Sequence, residues 1–254
     1  MYRVLMRAAS LMERGAKGLL YLAAGTLRVA EFRDRAMAEY ETYRVRDDEI
    51  LQGLLWWERD IYDRFLRPGD RILIVGVGTG RDLIALMTAG HEVVGLDCLE
   101  YPLQVARRQV DALGQTAELV HGAIEERVAL PGTFDVVIFS NNTYTAIPQS
   151  SRRVSALTYV RQHLRPGGRI IAGYFATETE QSQHGIRLSH LTSWLTRSDW
   201  RLEPHDVVSA LGPRGELLHY HHLFTTAEFE REARTAGLNV MYHRLDPPTA
   251  VLTL

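Results

Sequence analysis

The sequence predicts an α/β protein built around a mostly parallel sheet with helices on both faces. Over residues 71–175, short apolar runs such as Ile72–Val75 and Phe134–Phe139 alternate with segments of helical periodicity. This alternation is typical of βαβ units, whose sheet is buried on both sides. The chain has 254 residues, 46% of them hydrophobic and 24% charged, so it can form a full globular core.

A helix is predicted ahead of the first strand. Its apolar face runs from Ile50 to Phe65, and Asp47 and Asp48 can cap it. The strands and helices that follow are predicted, in chain order, at Ile72–Val75, Arg81–Ala89, Glu92–Leu96, Tyr101–Leu113, Glu118–Val120, Phe134–Phe139, Ser151–Leu164 and Arg169–Phe175.

Beyond Phe175 the alternation ends and a polar stretch begins. Two segments flank Gly212-Pro213-Arg214-Gly215 and therefore predict a β-hairpin. The elements predicted here are a helix around Leu188–Leu195, hairpin strands over Trp200–Ser209 and Glu216–Thr225, a helix over Thr226–Ala236 and a last strand over Leu238–Leu245.

Charge and composition exclude several function classes. The 29 Lys and Arg residues nearly balance the 31 Asp and Glu residues, which argues against a dedicated nucleic-acid binder. Cys98 is the only cysteine, so the chain has no intrachain disulfide and no multi-cysteine zinc site. The only lysine, Lys17, lies in none of the motifs that phosphate loops, pyridoxal enzymes or protein kinases require.

The N-terminal segment has a basic amphipathic pattern. On a helix, one stripe carries Arg3, Arg7, Arg14 and Lys17, and another carries Val4, Ala8, Leu11, Leu19 and Leu22. Such a helix can contact a membrane surface, or it can pack on its own domain or on a second subunit of a homodimer. Its uncharged run, Gly18–Gly25, is too short to span a bilayer.

A glycine-rich loop follows the first predicted strand. Gly76, Gly78 and Gly80 lie between that strand and a helix start, where glycines allow a tight turn and close approach of a ligand. Asp97 ends the next strand, 21 residues after Gly76. A carboxylate at this distance can accept hydrogen bonds from ribose hydroxyls, and Asp97 can also cap the next helix.

The region around this loop resembles a class I S-adenosylmethionine-dependent methyltransferase. The resemblance is carried by RILIVGVGTGRDLIALMTAGHEVVGLD, HGAIEE, FDVVIFSNNTY and LRPGGRIIAGYF, and more loosely by FTTAEFEREARTAGLNV. It implies a Rossmann-like three-layer α/β/α sandwich. The sheet would be mostly parallel and seven-stranded, with an antiparallel last strand, and an N-terminal helical arm would precede it.

The resemblance also suggests a division of the chain into four parts. These are an N-terminal helical arm or lid at 1–46, a cofactor-binding Rossmann-like core at 47–175, an insertion at 176–215 that covers the substrate, and C-terminal strands and a helix at 216–254 that complete the sheet. Tyr40 and Tyr43 are candidates for covering the cofactor as part of the lid.

The implied cofactor is S-adenosyl-L-methionine. By position, Asp97 would hold its ribose and Cys98 would pack on its adenine, while the glycines would let the backbone approach. The residues expected to bind it are Gly76, Gly78, Gly80, Asp97, Cys98, Ala123, Ile124, Ser140 and Asn141.

Two positions depart from the family pattern. Ile74 and Ala123 stand where family members often have acidic residues. Without an acid at position 74, backbone carbonyls near Gly76 or Ser140 would have to bind the cofactor's ammonium group.

The acceptor is expected beyond the carboxyl ends of the strands. Tyr144 ends an Asn-x-x-Tyr stretch that faintly resembles the catalytic loop of amino-group methyltransferases, although it can also be an ordinary polar loop. His219 and His221 share one face of a predicted strand, where they can supply a general base, bind a metal or simply pack. We expect Tyr174 to contact the substrate, and we expect no metal.

These observations predict a cytoplasmic enzyme that transfers a methyl group to N or O of a small molecule by in-line displacement. Two alternatives remain. A nucleotide-cofactor oxidoreductase would use Asp97 for a dinucleotide, although the Gly-x-Gly-x-Gly spacing disfavours it. A non-catalytic or membrane-peripheral module would keep the cofactor pocket and lack turnover.

Overall fold

The computed structural model describes residues 1–31, 34, 53–178, 184–211 and 217–254. Asp47, Asp48, Ile50 and the lid candidates Tyr40 and Tyr43 lie outside these residues, as does the turn at 212–215. The helices are α1 (Tyr2–Ala24), α2 (Trp56–Phe65), α3 (Arg81–Thr88), α4 (Glu100–Ala112), α5 (Thr143–Ala146), α6 (Ser150–Gln162), α7 (His184–Thr196) and α8 (Thr226–Thr235).

Ten strands accompany these helices in the described part of the chain. They are β1 (Arg71–Val75), β2 (Glu92–Asp97), β3 (Glu118–His121), β4 (Phe134–Phe139), β5 (Leu164–Gly173), β6 (Phe175–Ala176), β7 (Asp206–Leu211), β8 (Leu217–Phe224), β9 (Asn239–Leu245) and β10 (Pro248–Thr253).

Seven strands form the central sheet in the order β3-β2-β1-β4-β5-β10-β9. The strands β1 to β5 pair in parallel, whereas β10 runs antiparallel to both β5 and β9. The structure therefore confirms the mostly parallel sheet with an antiparallel last strand. That last strand is β10 and not the predicted 238–245 segment, because Asp246-Pro247 forms a turn from which a further strand begins.

Alternate side chains of each strand enter different cores. Leu73 and Val75 of β1 pack in one apolar cluster, and Ile72 and Ile74 pack in a second cluster on the opposite face. Successive side chains of a strand point to opposite faces, so the continuous apolar run of β1 covers both sides of the sheet. Helices close both clusters, which confirms the three-layer α/β/α arrangement.

A second, smaller sheet has the order β6-β8-β7. The antiparallel pair β7–β8 is the predicted hairpin, with Asp206 opposite His222 and Leu211 opposite Leu217. Because β8 also pairs with β6, it belongs to this small sheet. The expectation that residues 216–254 as a whole complete the central sheet thus needs correction: only β9 and β10 add strands to it.

The C-terminal end of α1 packs against α7 and the small sheet. Tyr21 and Ala24 share a buried apolar cluster with Trp200 and Tyr220, and the indole Nε1 of Trp200 donates a hydrogen bond to the carbonyl of Ala24 at 2.9 Å. None of the described helices combines the length and hydropathy that crossing a bilayer requires.

Candidate cofactor site and acceptor edge

The glycine-rich loop is shaped by close backbone packing. Gly76 has φ of 76°, and a Cβ built on it would lie 2.0 Å from Oγ1 of Thr143. Only glycine fits there. The N–H groups of Gly76 and Val77 both donate to the carbonyl of Leu96, at 2.8 and 3.0 Å. The loop is thereby held against the end of β2, at the carboxyl edge of the sheet.

Asp97 points toward this loop. Its Oδ2 accepts a hydrogen bond from the N–H of Gly78 at 2.9 Å, and its Oδ1 accepts one from the N–H of Leu99 at 3.0 Å. The residue is 7% exposed. Burial raises the pKa of the Asp97 carboxyl, and the backbone N–H groups of Leu99 and Gly78 oppose this shift. The carboxylate therefore lies beside the loop, where the sequence predicts it.

The residues expected around the adenine lie at the neighbouring strand ends. The N–H of Gly122, just after β3, donates to the carbonyl of Asp97 at 2.9 Å. Cys98 is exposed, whereas Ala123 and Ile124 are buried. These three residues lie at the adjacent ends of β2 and β3, on the loop's side of the sheet.

The turn after β4 has an unusual backbone. Asn141 and Asn142 have φ of 42° and 62°, in the left-handed region that few non-glycine residues adopt. A Cβ built on Gly173, at the end of β5, would lie 3.3 Å from Oδ1 of Asn142. Such strained positions cluster at functional sites, and this one lies between the ends of β4 and β5.

A buried charged cluster beside the loop was not found from the sequence. Oγ of Ser140 donates to Oδ2 of Asp82 at 2.6 Å, and Nε of Arg81 donates to Oδ1 of Asp82 at 2.8 Å. Arg81 also pairs with Glu58, which is completely buried. Burial, and then the charge of Asp82, raise the pKa of Glu58.

Two carboxylates thus share one guanidinium. When both carboxylates are ionised, the cluster has one net negative charge. Ser140 was expected near the cofactor, and its partner Asp82 belongs to the quoted glycine-loop motif. The spacing of Glu58 could have indicated its burial. It lies four residues after Leu54 and three residues before Ile61, on the apolar face of the predicted helix.

Tyr144 lies elsewhere than the sequence suggested. It is 0% exposed, and its hydroxyl donates to Oε2 of Glu232 at 2.7 Å. Its ring packs against Phe139, Phe224 and Phe229. The catalytic assignment therefore needs correction, because the Tyr144 hydroxyl is bonded to Glu232 inside the core.

Tyr174 is also largely enclosed. It is 1% exposed, its ring stacks on Phe229, and its hydroxyl contacts Nε2 of His243. Burial raises the pKa of Tyr174 to about 12. Tyr174 thus packs in the core directly after the end of β5. Its expected contact with a substrate stays a prediction.

The two predicted histidines line a cavity of about 530 Å³. Its wall also contains Phe175 and Ala176 of β6, Leu223 of β8, and Leu245 and Pro248 at the β9–β10 turn. Pro248 precedes Thr249, which pairs with Gly173 at the end of β5. The cavity therefore opens at the same sheet edge as the glycine-rich loop.

His221 has the properties of a proton acceptor. Its Nδ1 is buried and has no hydrogen-bond partner among the described residues. Burial, followed by the neighbouring charge of His219, lowers the pKa of His221. Burial and the nearby His219 therefore both favour the neutral form of the His221 imidazole.

A family model described as a methyltransferase domain matches residues 72–168. This match runs from β1 into β5 and includes the glycine-rich loop, Asp97 and Ser140. This part of the chain is therefore similar to a methyltransferase domain.

Two relatives share this methyltransferase region. The cypemycin N-terminal methyltransferase of a Streptomyces species is 32% identical over 100 residues, which are 39% of this chain and 40% of that protein. The demethylmenaquinone methyltransferase of Symbiobacterium thermophilum is 30% identical over 155 residues, 56% of this chain and 57% of that protein. The matched region thus spans about half the length of these relatives.

The likeness in fold extends further than the likeness in sequence. A solved S-adenosylmethionine-dependent methyltransferase from Clostridium acetobutylicum superposes with a TM-score of 0.56 at 13% identity. The superposition covers 87% of this chain and 98% of that one. At this identity it supports the fold of the methyltransferase domain.

Proposed function

We propose that this chain transfers a methyl group from S-adenosylmethionine to N or O of a small-molecule acceptor. The observation that carries the proposal is the buried carboxylate of Asp97, which is held 2.9 Å from the N–H of Gly78 in a loop shaped by close packing. A carboxylate beside such a loop suits a ribose diol. The relatives are named as methyltransferases, one of them as an N-terminal methyltransferase, and these names support the proposal.

The residues present fit both ends of the cofactor. Asp97 would accept hydrogen bonds from the ribose hydroxyls, and Cys98, Ala123 and Ile124 would frame the adenine. The Glu58–Arg81–Asp82 cluster would hold the amino-acid end, because its net negative charge complements an ammonium group. This cluster would supply the negative charge that an acidic residue often provides at the position of Ile74 in family members.

Methyl transfer requires mainly orientation from the protein. When bound, S-adenosylmethionine supplies an activated sulfonium methyl group. The chain has to hold the acceptor in line and exclude water, and an amine or hydroxyl acceptor must also lose a proton. His221 would accept that proton in the cavity, with the Phe175 ring 5.2 Å away bounding the acceptor.

Calorimetry with S-adenosylmethionine tests the proposal. We expect wild-type binding in the micromolar range, weakened about 100-fold in Asp97→Ala because two ribose hydrogen bonds are lost. Asp111→Ala, on the exposed face of α4, is the matched control and should bind like the wild type. Absence of heat with the wild type, or preferential binding of NAD, would overturn the proposal.

Turnover is tested separately. Release of S-adenosylhomocysteine should depend on an added acceptor that bears an amine or a hydroxyl. Binding without turnover across both acceptor classes would instead favour a non-catalytic cofactor-binding module.

A further inference from the structure

We propose that α1 and α7 together form a surface that docks on an anionic lipid bilayer. This surface consists of exposed apolar residues of both helices, and α1 also carries a cationic stripe on its other side. The residues are Leu5, Leu11, Met12 and Leu19 of α1, and Leu188, Leu191, Trp194 and Leu195 of α7. The proposal does not depend on the proposed function.

The first two thirds of α1 do not pack on the body of the protein. Residues 5–9 and 11–17 are exposed. Leu11 is 67% exposed and Met12 is 76% exposed. Burial begins only near the helix end, at Tyr21 and Ala24. Tertiary packing therefore leaves Leu5, Leu11, Met12 and Leu19 uncovered.

The charges of α1 lie on the opposite side of the helix from three of its exposed apolar residues. At 3.6 residues per turn, Arg3, Arg7, Arg14 and Lys17 cluster about half a turn from Leu5, Met12 and Leu19. Glu13 is the only acidic residue in the helix. A strongly amphipathic helix with cations on its polar face lies in the interface plane of an anionic membrane.

Helix α7 extends the apolar surface. A Cβ built on Gly18 would lie 4.0 Å from Cδ1 of Leu188. The first of the exposed apolar residues of α7 therefore lies beside α1. Trp194, 68% exposed, adds an indole to this row. Indoles favour the boundary between headgroups and acyl chains. The helix that packs beside α1 therefore also exposes apolar side chains.

Charge distinguishes a lipid surface from a second copy of the chain. A second copy paired on the same apolar side chains would carry the same four cations and single Glu13 on its own α1, and it would offer these cations no anionic partner. Phosphate headgroups of an anionic leaflet attract the same cations, so the bilayer is the better complement.

Docking would also orient the rest of the molecule. Tyr21 and Ala24 pack with Trp200 and Tyr220 of the small-sheet region, and β8 carries His219 and His221 into the cavity. A bilayer bound to α1 and α7 is therefore connected to the cavity wall through one packed cluster.

Vesicle flotation with the full chain tests the proposal. The probes are phosphatidylcholine vesicles and vesicles of phosphatidylcholine with phosphatidylglycerol. We expect binding to the anionic vesicles that weakens as salt is raised, and little binding to the neutral ones. No binding to either kind, or equal binding to both, would overturn the proposal.

Two variants separate the charges from the apolar face. Replacing Arg3, Arg7, Arg14 and Lys17 by Gln should weaken anionic binding about 600-fold, since each of the four cations contributes about fivefold. Leu11→Gln with Met12→Gln should also abolish flotation. The control, Arg231→Gln with Arg234→Gln on exposed positions of α8, should float like the wild type.

Folding and self-association are measured on the same samples. All variants should bind S-adenosylmethionine as the wild type does, which keeps this test separate from that of the proposed function. A dimer in sedimentation velocity that dissociates in the Leu11/Met12 variant, without vesicle binding, would assign the surface to a second copy and overturn the proposal.

Discussion

The backbone N–H of Gly78 lies 2.9 Å from Oδ2 of Asp97, and this hydrogen bond joins the first loop of the sheet to the end of the second strand. Asp97 is thereby oriented before any ligand arrives. A preoriented carboxylate loses little conformational entropy when it binds a ribose. The following predictions concern the groups arranged around this bond.

Glu58→Gln and Asp82→Asn should each weaken the binding of S-adenosylmethionine about tenfold, because each removes negative charge next to the amino-acid end. The binding of methylthioadenosine, which lacks that end, should remain unchanged. Isothermal titration of both ligands against each variant checks this. An equal loss for the two ligands would show that the cluster supports the fold of the site and not the ammonium group.

His221→Gln should lower kcat about 100-fold and leave the affinity for S-adenosylmethionine unchanged, because a general base acts on the acceptor. Since burial, and then the charge of His219, lower the pKa of His221, the wild-type rate should fall only at a pH below the ordinary histidine pKa of about 6.5. His163→Gln, at the far end of α6, is the control. Full turnover in His221→Gln and in His219→Ala would exclude both histidines from the reaction.

Tyr144→Phe should reduce the free energy of unfolding by about 1–2 kcal/mol, since Glu232 loses one buried donor and keeps Arg153. The value of kcat should stay within about twofold. Tyr159→Phe removes a comparable bond to the carbonyl of Val128 and serves as control. A selective collapse of kcat at unchanged stability would restore the catalytic assignment of Tyr144.

The acid stability of the protein should depend on Glu228. Burial alone would raise its pKa, but the ion pair with His222 and the hydrogen bond from His205 lower the pKa of Glu228 to about 2. Its contribution is therefore complete above the unfolded pKa of about 4.5 and is lost as the pH falls toward 2.

His222 depends on pH in the opposite direction. Burial disfavours its charge, yet the hydrogen bond to Asp206 and the ion pair with Glu228 raise the pKa of His222 overall. Its contribution is complete below pH 6.5 and declines as the pH rises through the raised pKa.

Urea unfolding checks this pair of effects. Glu228→Gln should cost about 1–2 kcal/mol at pH 6, and the difference from the wild type should shrink toward pH 3. Glu230→Gln, a more exposed carboxylate of the same helix, should show neither effect. A difference independent of pH would mean that packing and not charge is lost.

The central sheet was predictable because its signal is local. Runs such as Ile72–Val75 are apolar throughout, as a strand covered on both faces must be. The glycine-rich loop and Asp97 followed from spacing along the chain. β10 was missed because the preceding prolines indicate a break, whereas pairing with β5 determines the strand.

The remaining features were not predicted because they depend on contacts between residues far apart in the sequence. Tyr144 follows two polar asparagines, and nothing nearby in sequence reveals that Glu232 accepts its hydrogen bond 88 residues later. Likewise, β8 pairs with β6, 48 residues earlier at Phe175↔Leu223. Such contacts depend on how the insertion folds back, and no local pattern encodes them.

The bond from the Trp200 indole to the carbonyl of Ala24 spans 176 residues of sequence. It ties the beginning of the chain to the segment that leads into the β7–β8 hairpin. A chimera that carries this hairpin in another enzyme would also need α1. Without α1, the buried indole N–H of Trp200 would have no acceptor. The two segments are thus one transplantable unit, although the whole methyltransferase core separates them in the gene.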